Sequence, residues 1–310
     1  MKRFLFWNSL LILAIGGLFW CGQIVFAQGI SVGITPLVFE LTGTPGEVIE
    51  NQVKVFNSSD SFVGIKITTE DIAPANESGQ VKGEPAGTET YSLANWIKFD
   101  PERFTLNPKE EKWIKFTITV PENAEPGGHY GSVIAGSEAV IGPQTTGAAL
   151  VLRVGSLILL TVPGNIKESL IVKGFTAPGY SEYGPINFAI RFENQGTVHA
   201  KPKGIITITS WLGKKVADIP IPEKNVLPTA IRKIDASWSQ KWLWAGKYTA
   251  TLTGNYGISN LPLTPTVITF WAFPWKFGLI FLAVLILFIL TRRRWLMALK
   301  ILIKGTKAAK

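Results

Sequence analysis

One cysteine, two histidines and two methionines are spread over 310 residues. That scarcity excludes whole classes of chemistry. A lone cysteine, Cys21, allows no internal disulfide, so the chain has no cross-linked framework. His129 and His199 stand apart, each in a turn-like setting, and no His/Cys/carboxylate group has metal-ligand spacing. Both histidines read as solvated loop residues. There is no Gly-x-Ser-x-Gly elbow and no phosphate loop. Gly127-Gly128 has no helix following it to make an anion cradle. The adjacent carboxylates Glu110-Glu111 and Glu70-Asp71 point to opposite sides of an extended chain, which leaves neither pair the separation that glycoside hydrolysis needs. The expectation is a protein with no catalytic residue, no metal ligand and no bound cofactor, with a cell-wall-modifying enzyme as the remotest alternative.

A second deficit is hidden by the net charge of +9. Of the 31 Lys and Arg residues, two precede the first apolar stretch and seven follow the last, leaving 22 in between against all 22 acidic residues. The region between the two greasy ends is formally neutral. It carries no basic surplus for phosphate backbones, so nucleic acid is not an expected partner.

The ends themselves are explicit. Lys2 and Arg3 precede an uncharged run, Phe4 to Ala27, closing on Val25-Phe26-Ala27 before Gln28. This is the pattern of a secretory signal peptide over residues 1–27, or of an uncleaved N-terminal anchor. Near the other end, Phe277 to Leu290 is unbroken apolar sequence. With its flanks it gives a single span over about 271–291, long enough for a bilayer core. Trp271 and Trp275 suit an aromatic belt at the outer interface, and Lys276 lies close enough to the boundary to snorkel. Arg292, Arg293 and Arg294 then mark the 292–310 tail as cytoplasmic. The expected location is the cell membrane, crossed once, with the N-terminal domains extracytoplasmic.

What fills the middle is β-structure. Apolar and polar residues alternate in Asn51 to Phe56, Val63 to Thr68 and Glu111 to Ile118. Gly, Pro, Asn and Ser punctuate these runs, as in an antiparallel sandwich. The order of motifs repeats. Val53-Lys54-Val55-Phe56-Asn57 matches Ile190-Arg191-Phe192-Glu193-Asn194, each a strand ending in a turn-tolerant Asn. Ile65 to Thr69 matches Ile205 to Thr209; Leu106-Asn107-Pro108 matches Val226-Leu227-Pro228; Gly128-His129-Tyr130 matches Gly246-Lys247-Tyr248. The fold class expected is all-β, two tandem immunoglobulin-like sandwiches over 28–163 and 164–270, with a signal helix before them and one transmembrane helix after. The first unit carries an extra loop, 73–95, rich in Gly, Glu, Pro and Ser, and a Gly-rich connection from Gly136 to Gly147.

These motifs resemble those of Gram-positive surface proteins called WxL-interacting proteins. The resemblance is carried by Asn51 to Asn57, Trp96-Ile97-Lys98-Phe99, Phe104 to Pro108, Lys115 to Ala124 and Pro126 to Gly131. It covers about residues 30–162, and the order of parts along the chain agrees. More distantly, the first unit is similar to the N-terminal domain of pilus chaperones and to major sperm protein. The resemblance implies a peptidoglycan-binding, immunoglobulin-like module on a membrane-anchored surface protein that contacts cell wall or other surface proteins, with no catalytic residues.

Aromatics are the remaining candidates. Trp238, Trp242 and Trp244 form either a platform for a sugar or protein partner or a rim near the second core and the bilayer. Leu261-Pro262-Leu263-Thr264-Pro265 resembles a sorting signal, but Pro265 replaces the glycine after the scissile bond, so a last strand interrupted by prolines is the plainer reading. The function expected is display of two β-domains for adhesion or binding of cell wall or surface proteins. The alternative is an extracytoplasmic chaperone or assembly factor for surface structures.

Overall fold

The computed structural model describes residues 31–138 and 151–305, with side chains described to residue 293. The signal segment, Cys21 and most of the Gly136–Gly147 connection lie outside the described residues, as do the side chain of Arg294 and the distal tail.

Alternation decides which side chains go inward. In 51–56 and 111–118 it buries Val53, Val55, Ile114, Phe116 and Ile118 while their neighbours face water. Each large apolar side chain so buried contributes about 1.5–3 kcal/mol. The strands of the first unit are β1 (Val32–Thr35), β2 (Val38–Thr42), β3 (Val48–Asn57), β4 (Val63–Pro74), β5 (Val81–Glu84), β6 (Ile97–Asp100), β7 (Arg103–Leu106), β8 (Glu111–Thr119), β9 (Gly127–Glu138) and β10 (Arg153–Val162). One sheet has the order β1-β3-β8-β6; the other runs β2-β10-β9-β4-β5, with β7 also paired to β4. The core lies between them, built on Ile65, Phe116, Ile158 and Leu160.

The second unit contains β11 (Leu170–Thr176), β12 (Tyr180–Ser181), β13 (Ile186–Asn194), β14 (Lys203–Ser210), β15 (Lys215–Pro220), β16 (Ile231–Trp238), β17 (Gly246–Tyr256), β18 (Leu261–Pro262) and β19 (Thr266–Ala272). Its sheets are β11-β13-β16 and β12-β19-β17-β14-β15, with β18 paired to β17. The two units share one wiring. In each, an early short strand pairs in parallel with the last strand, β2 with β10 and β12 with β19, while the other pairings are antiparallel. The chain is thus all-β, two tandem immunoglobulin-like sandwiches.

The repeat extends to atomic detail at the two asparagines. Asn57 is 2% exposed and Asn194 1%. Asn57 Nδ2 donates to the carbonyls of Ser61 and Asn107, and its Oδ1 accepts from the Ser59 amide. Asn194 Nδ2 donates to the carbonyls of Val198 and Val226, and its Oδ1 accepts from the Gly196 amide. A buried turn leaves backbone groups that water cannot reach, and one amide side chain satisfies three of them.

A helix, α1, spans Trp275–Gly305, and its Trp275–Arg293 part is long and apolar enough to cross a membrane. The expected span of 271–291 starts four residues too early. Trp271 and Ala272 belong to β19, where Trp271 pairs with Lys247 and Tyr180; β-branched and aromatic residues there continue the ladder before Pro274 ends it. The segment 73–95, read as a loop, also differs. It contains β5 and a 3-10 turn at Ala94–Trp96, gathered round the fully buried carboxylate of Asp71. Asp71 Oδ1 accepts from the Leu93 and Ala94 amides and the Ser92 hydroxyl, and Oδ2 accepts from the Gly87 amide.

Candidate interdomain binding cleft

The outer face of the β2-β10-β9-β4-β5 sheet is not surrendered to solvent. Ile72, Tyr130 and Leu159 form a small apolar cluster there, joined by Val81 and Leu157 and by Leu227 of the second sandwich. The two sandwiches meet over this face, and polar contacts fix the junction on both sides. Glu40 on β2 accepts from Lys201 Nζ at 2.6 Å and from Asn225 Nδ2 at 2.7 Å. On the other side Glu77 takes a forked ion pair from Arg191, and its carbonyl accepts from the Lys233 amide at 2.6 Å. The Gly128 amide donates to the Thr197 carbonyl at 2.8 Å, and the His199 amide donates to Tyr130 Oη at 2.7 Å.

The Pro126-Gly127-Gly128-His129-Tyr130 corner is therefore part of the joint. Gly127 has φ 140, and a Cβ on Gly128 would fall 1.8 Å from Tyr130 Oη. Neither histidine is a solvated loop residue, as the sequence had suggested. His129 is 9% exposed; its ring lies 4.4 Å from that of Trp96, with nitrogens 3.2 and 3.0 Å from the carbonyls of Ser92 and Glu125. His199 packs edge-on against Tyr130. Their turns are folded into the joint, which a reading of local composition could not anticipate.

Between these fastenings a cleft of about 320 Å³ stays open. Its apolar walls come from Val38, Leu157, Ile72 and Val81 on one side and from Leu227 and Ile231 on the other. Its polar members include Glu40, Lys201, Asn225 and Arg232. Burial raises the Glu40 carboxyl pKa, but the hydrogen bonds from Lys201 and Asn225 and the Lys201 charge outweigh it, so the group sits below its usual range. Burial pushes the Arg232 guanidinium downward, the Tyr130 phenol upward, and His199 below its ordinary value.

Two buried polar atoms here have no partner, Asn225 Oδ1 and Arg232 Nε. Arg232 Nη1 is already committed to the Asn225 carbonyl, and the guanidinium lies across Gly79, where a Cβ would fall 2.3 Å from it. A buried acceptor and a buried donor left open cost about 1–3 kcal/mol each until something fills them. An amide group offers one complement to each.

The residues singled out by sequence fall elsewhere. Trp238 is corrected: it is 7% exposed and packs against Tyr248 inside the second core, because β16 ends on an inward-facing position. It offers no surface to a partner. Trp242 and Trp244 are exposed, 65% and 88%, and the Trp242 ring lies 5.3 Å from that of Phe277 at the start of α1, where Trp275 and Lys276 also sit. Arg292 and Arg293 lie exposed on α1. None of these lines the interdomain cleft. Among the described residues no group of three or more His, Cys, Asp and Glu is placed to hold a metal ion. Leu261-Pro262 is the short strand β18, and Pro265 precedes β19.

No protein-family description and no curated protein matches the sequence. Among solved structures the chain is similar to the class 5 fimbriae chaperone CfaA, at 17% identity over 77% of this chain and 99% of that one, with a TM-score of 0.39. It is also similar to the E. coli chaperone DraB, at 13% identity over 77% of this chain and 98% of that one, TM-score 0.34. A third is a Salmonella enterica SafA pilin in complex with the SafB chaperone, at 11% identity over 78% of this chain and 97% of the matched one, TM-score 0.35.

Proposed function

We propose that this chain is a membrane-anchored, extracytoplasmic chaperone or assembly factor that holds an extended segment of another exported protein in the cleft between its sandwiches. The observation that carries this reading is the pairing of an apolar trough with an unpartnered donor, Arg232 Nε, and an unpartnered acceptor, Asn225 Oδ1. An extended peptide supplies apolar side chains on alternate positions and a C=O and N–H per residue. The outer edge of β2 borders the same trough, since Val38 and Glu40 line it, and an added strand could pair there. A sugar would prefer flat aromatic surfaces, and no tryptophan lines this cleft. The sandwiches project outside the cell and the tail beyond Arg293 stays inside, with a protein rather than a nucleic acid as partner.

Adhesion to cell wall or to other surface proteins, the first expectation from sequence, calls for a binding surface away from the membrane. Of the tryptophans that suggested it, Trp238 is buried and Trp242 packs beside α1 instead. A binding measurement separates the two readings. The full chain in detergent should bind a fluorescent peptide of alternating Val and Ser; Arg232→Ala should weaken it about tenfold, the equivalent of one hydrogen bond to a charged group, and Val38→Lys should weaken it by a similar factor through the lost apolar contact. Sedimentation with purified cell wall but no peptide binding would defeat the chaperone reading and restore adhesion.

A further inference from the structure

The end of the second sandwich that faces α1 is unlike the rest of the surface. Three connections gather there: residues 182–185 before β13, residues 211–214 between β14 and β15, and residues 239–245 between β16 and β17. Strand register puts them together, since Ile186 pairs with Trp238, Ser210 with Tyr248 and Gly246 with Ala272. Trp211 lies against Gly246, where a Cβ would fall 2.4 Å from its ring. Trp211, Leu212, Trp242 and Trp244 are exposed by 65%, 71%, 65% and 88%. Four exposed large apolar groups gathered on loop tips mark a surface that meets an apolar partner. The charged side chains among them are mostly basic: Lys214, Lys215, Lys241 and Lys247. Lys215 is paired to Asp218.

What covers this end follows from its continuity with the membrane helix. The Trp242 ring sits 5.3 Å from the ring of Phe277, the third residue of α1. Lys276 Nζ is paired to Glu182 Oε2 at 2.9 Å, so the helix is tied to the sandwich at its first turn. The part of α1 able to span a bilayer, Trp275–Arg293 with its charged flanks, has 19 residues, or about 28 Å at 1.5 Å per residue, against a hydrocarbon core of about 30 Å. There is no slack. Lifting Trp242 clear of a headgroup layer about 5–8 Å deep would draw a full turn of apolar helix out of the bilayer.

A pocket of about 670 Å³ opens between these loops and the helix. Tyr183, Pro185, Trp242, Phe277 and Ile280 supply its apolar lining, and Glu182, Lys241 and Lys276 its charges. Glu182 Oε1 is buried with no partner. The apolar wall suits an acyl chain, Lys241 a phosphodiester, and the unpartnered Glu182 oxygen a headgroup N–H or O–H.

We infer that this end of the second sandwich is a lipid-docking collar, seated among the headgroups of the adjoining leaflet, whose pocket holds one phospholipid with a hydrogen-bond-donating headgroup. The inference needs α1 to span a bilayer, and it is independent of what the interdomain cleft binds. The donor comes from a phosphoethanolamine or a phosphoglycerol headgroup; phosphocholine has none.

The full chain, with Cys21→Ser, is reconstituted in lipid nanodiscs and spin-labelled at Trp244→Cys or at Lys241→Cys. Val48→Cys, exposed on the first sandwich, serves as the aqueous reference. Accessibility to aqueous nickel should be about tenfold lower at both collar positions than at residue 48, as for a side chain at interfacial depth. Equal accessibility at all three positions overturns the docking. Native mass spectrometry from micelles containing phosphatidylethanolamine, phosphatidylglycerol and phosphatidylcholine then reads the pocket. One ethanolamine or glycerol lipid should be retained and lost in Trp242→Ala. Equal retention of the choline lipid, or retention unchanged by Trp242→Ala, overturns the site even if the labels report docking.

Discussion

Asp71→Ala is the sharpest perturbation the structure offers away from any surface. The wild-type carboxylate is fully buried and accepts from three backbone amides and one hydroxyl at 2.7–3.1 Å. Hydrogen bonds to a charged acceptor contribute about 1.5–3 kcal/mol each. Four would sum past any plausible local stability, and they are not additive, because Gly87 and Ser92 are close enough to the surface to recover water. Counting only the Leu93 and Ala94 amides as orphaned gives a loss of about 3–5 kcal/mol. Amide hydrogen exchange on the full chain reads this directly. At 1.4 kcal/mol per decade, exchange of the 87–96 amides should accelerate at least about a hundredfold, while the Val53 and Ile190 amides stay protected. Because this segment leads out of β5 and one wall of the cleft, the alternating Val/Ser peptide should also bind less tightly. Exchange in 87–96 altered less than about threefold would refute the view that Asp71 organises the segment.

Other outcomes follow from the joint. Tyr130→Phe removes the acceptor of the His199 amide, about 1 kcal/mol of docking; label-to-label distances between the sandwiches should broaden, with both cores intact. Gly128→Ala should broaden them further, since its Cβ would displace Tyr130 Oη. Acid should loosen the same joint in two steps. Burial holds His199 below its ordinary 6.5, so the unfolded chain binds that proton first and stability falls as pH drops from about 6.5 toward the folded value. Glu40 sits below 4.5, so its contribution persists above that value and is lost as pH falls through its lowered one. A pH series of thermal midpoints should show the upper step vanish in His199→Gln while the lower one remains.

Much of the fold was legible because it rests on local rules. Alternation marked β3 and β8, and the Asn57 and Asn194 turns announced a repeated unit, since a buried turn needs a side chain that both donates and accepts. The span was misplaced by four residues because Trp271 suits a strand edge and a bilayer interface equally well. Trp238 was grouped with Trp242 and Trp244 by spacing alone. The strand ends at Trp238, and only the two beyond it leave the core. The cleft was not legible at all. Glu40 and Lys201 are separated by 161 positions and Glu77 and Arg191 by 114, and nothing around any of the four sets it apart from an ordinary surface charge. Composition hid β5 as well, because four residues of Val-Lys-Gly-Glu carry no strand signal.

The path of β16 has a further consequence. It begins beside the cleft at Ile231 and Arg232 and ends at Trp238, next to the collar loops. Six residue steps at about 3.4 Å set the cleft some 20 Å from the proposed collar, well over twice the screening length of about 8 Å at physiological salt. The second sandwich is in effect an insulating pillar. Whatever enters the trough is weighed by the charges that line it, Glu40, Lys201, Glu223, Lys224 and Arg232, and with the collar seated as proposed its salt dependence should be the same in neutral and in anionic lipid.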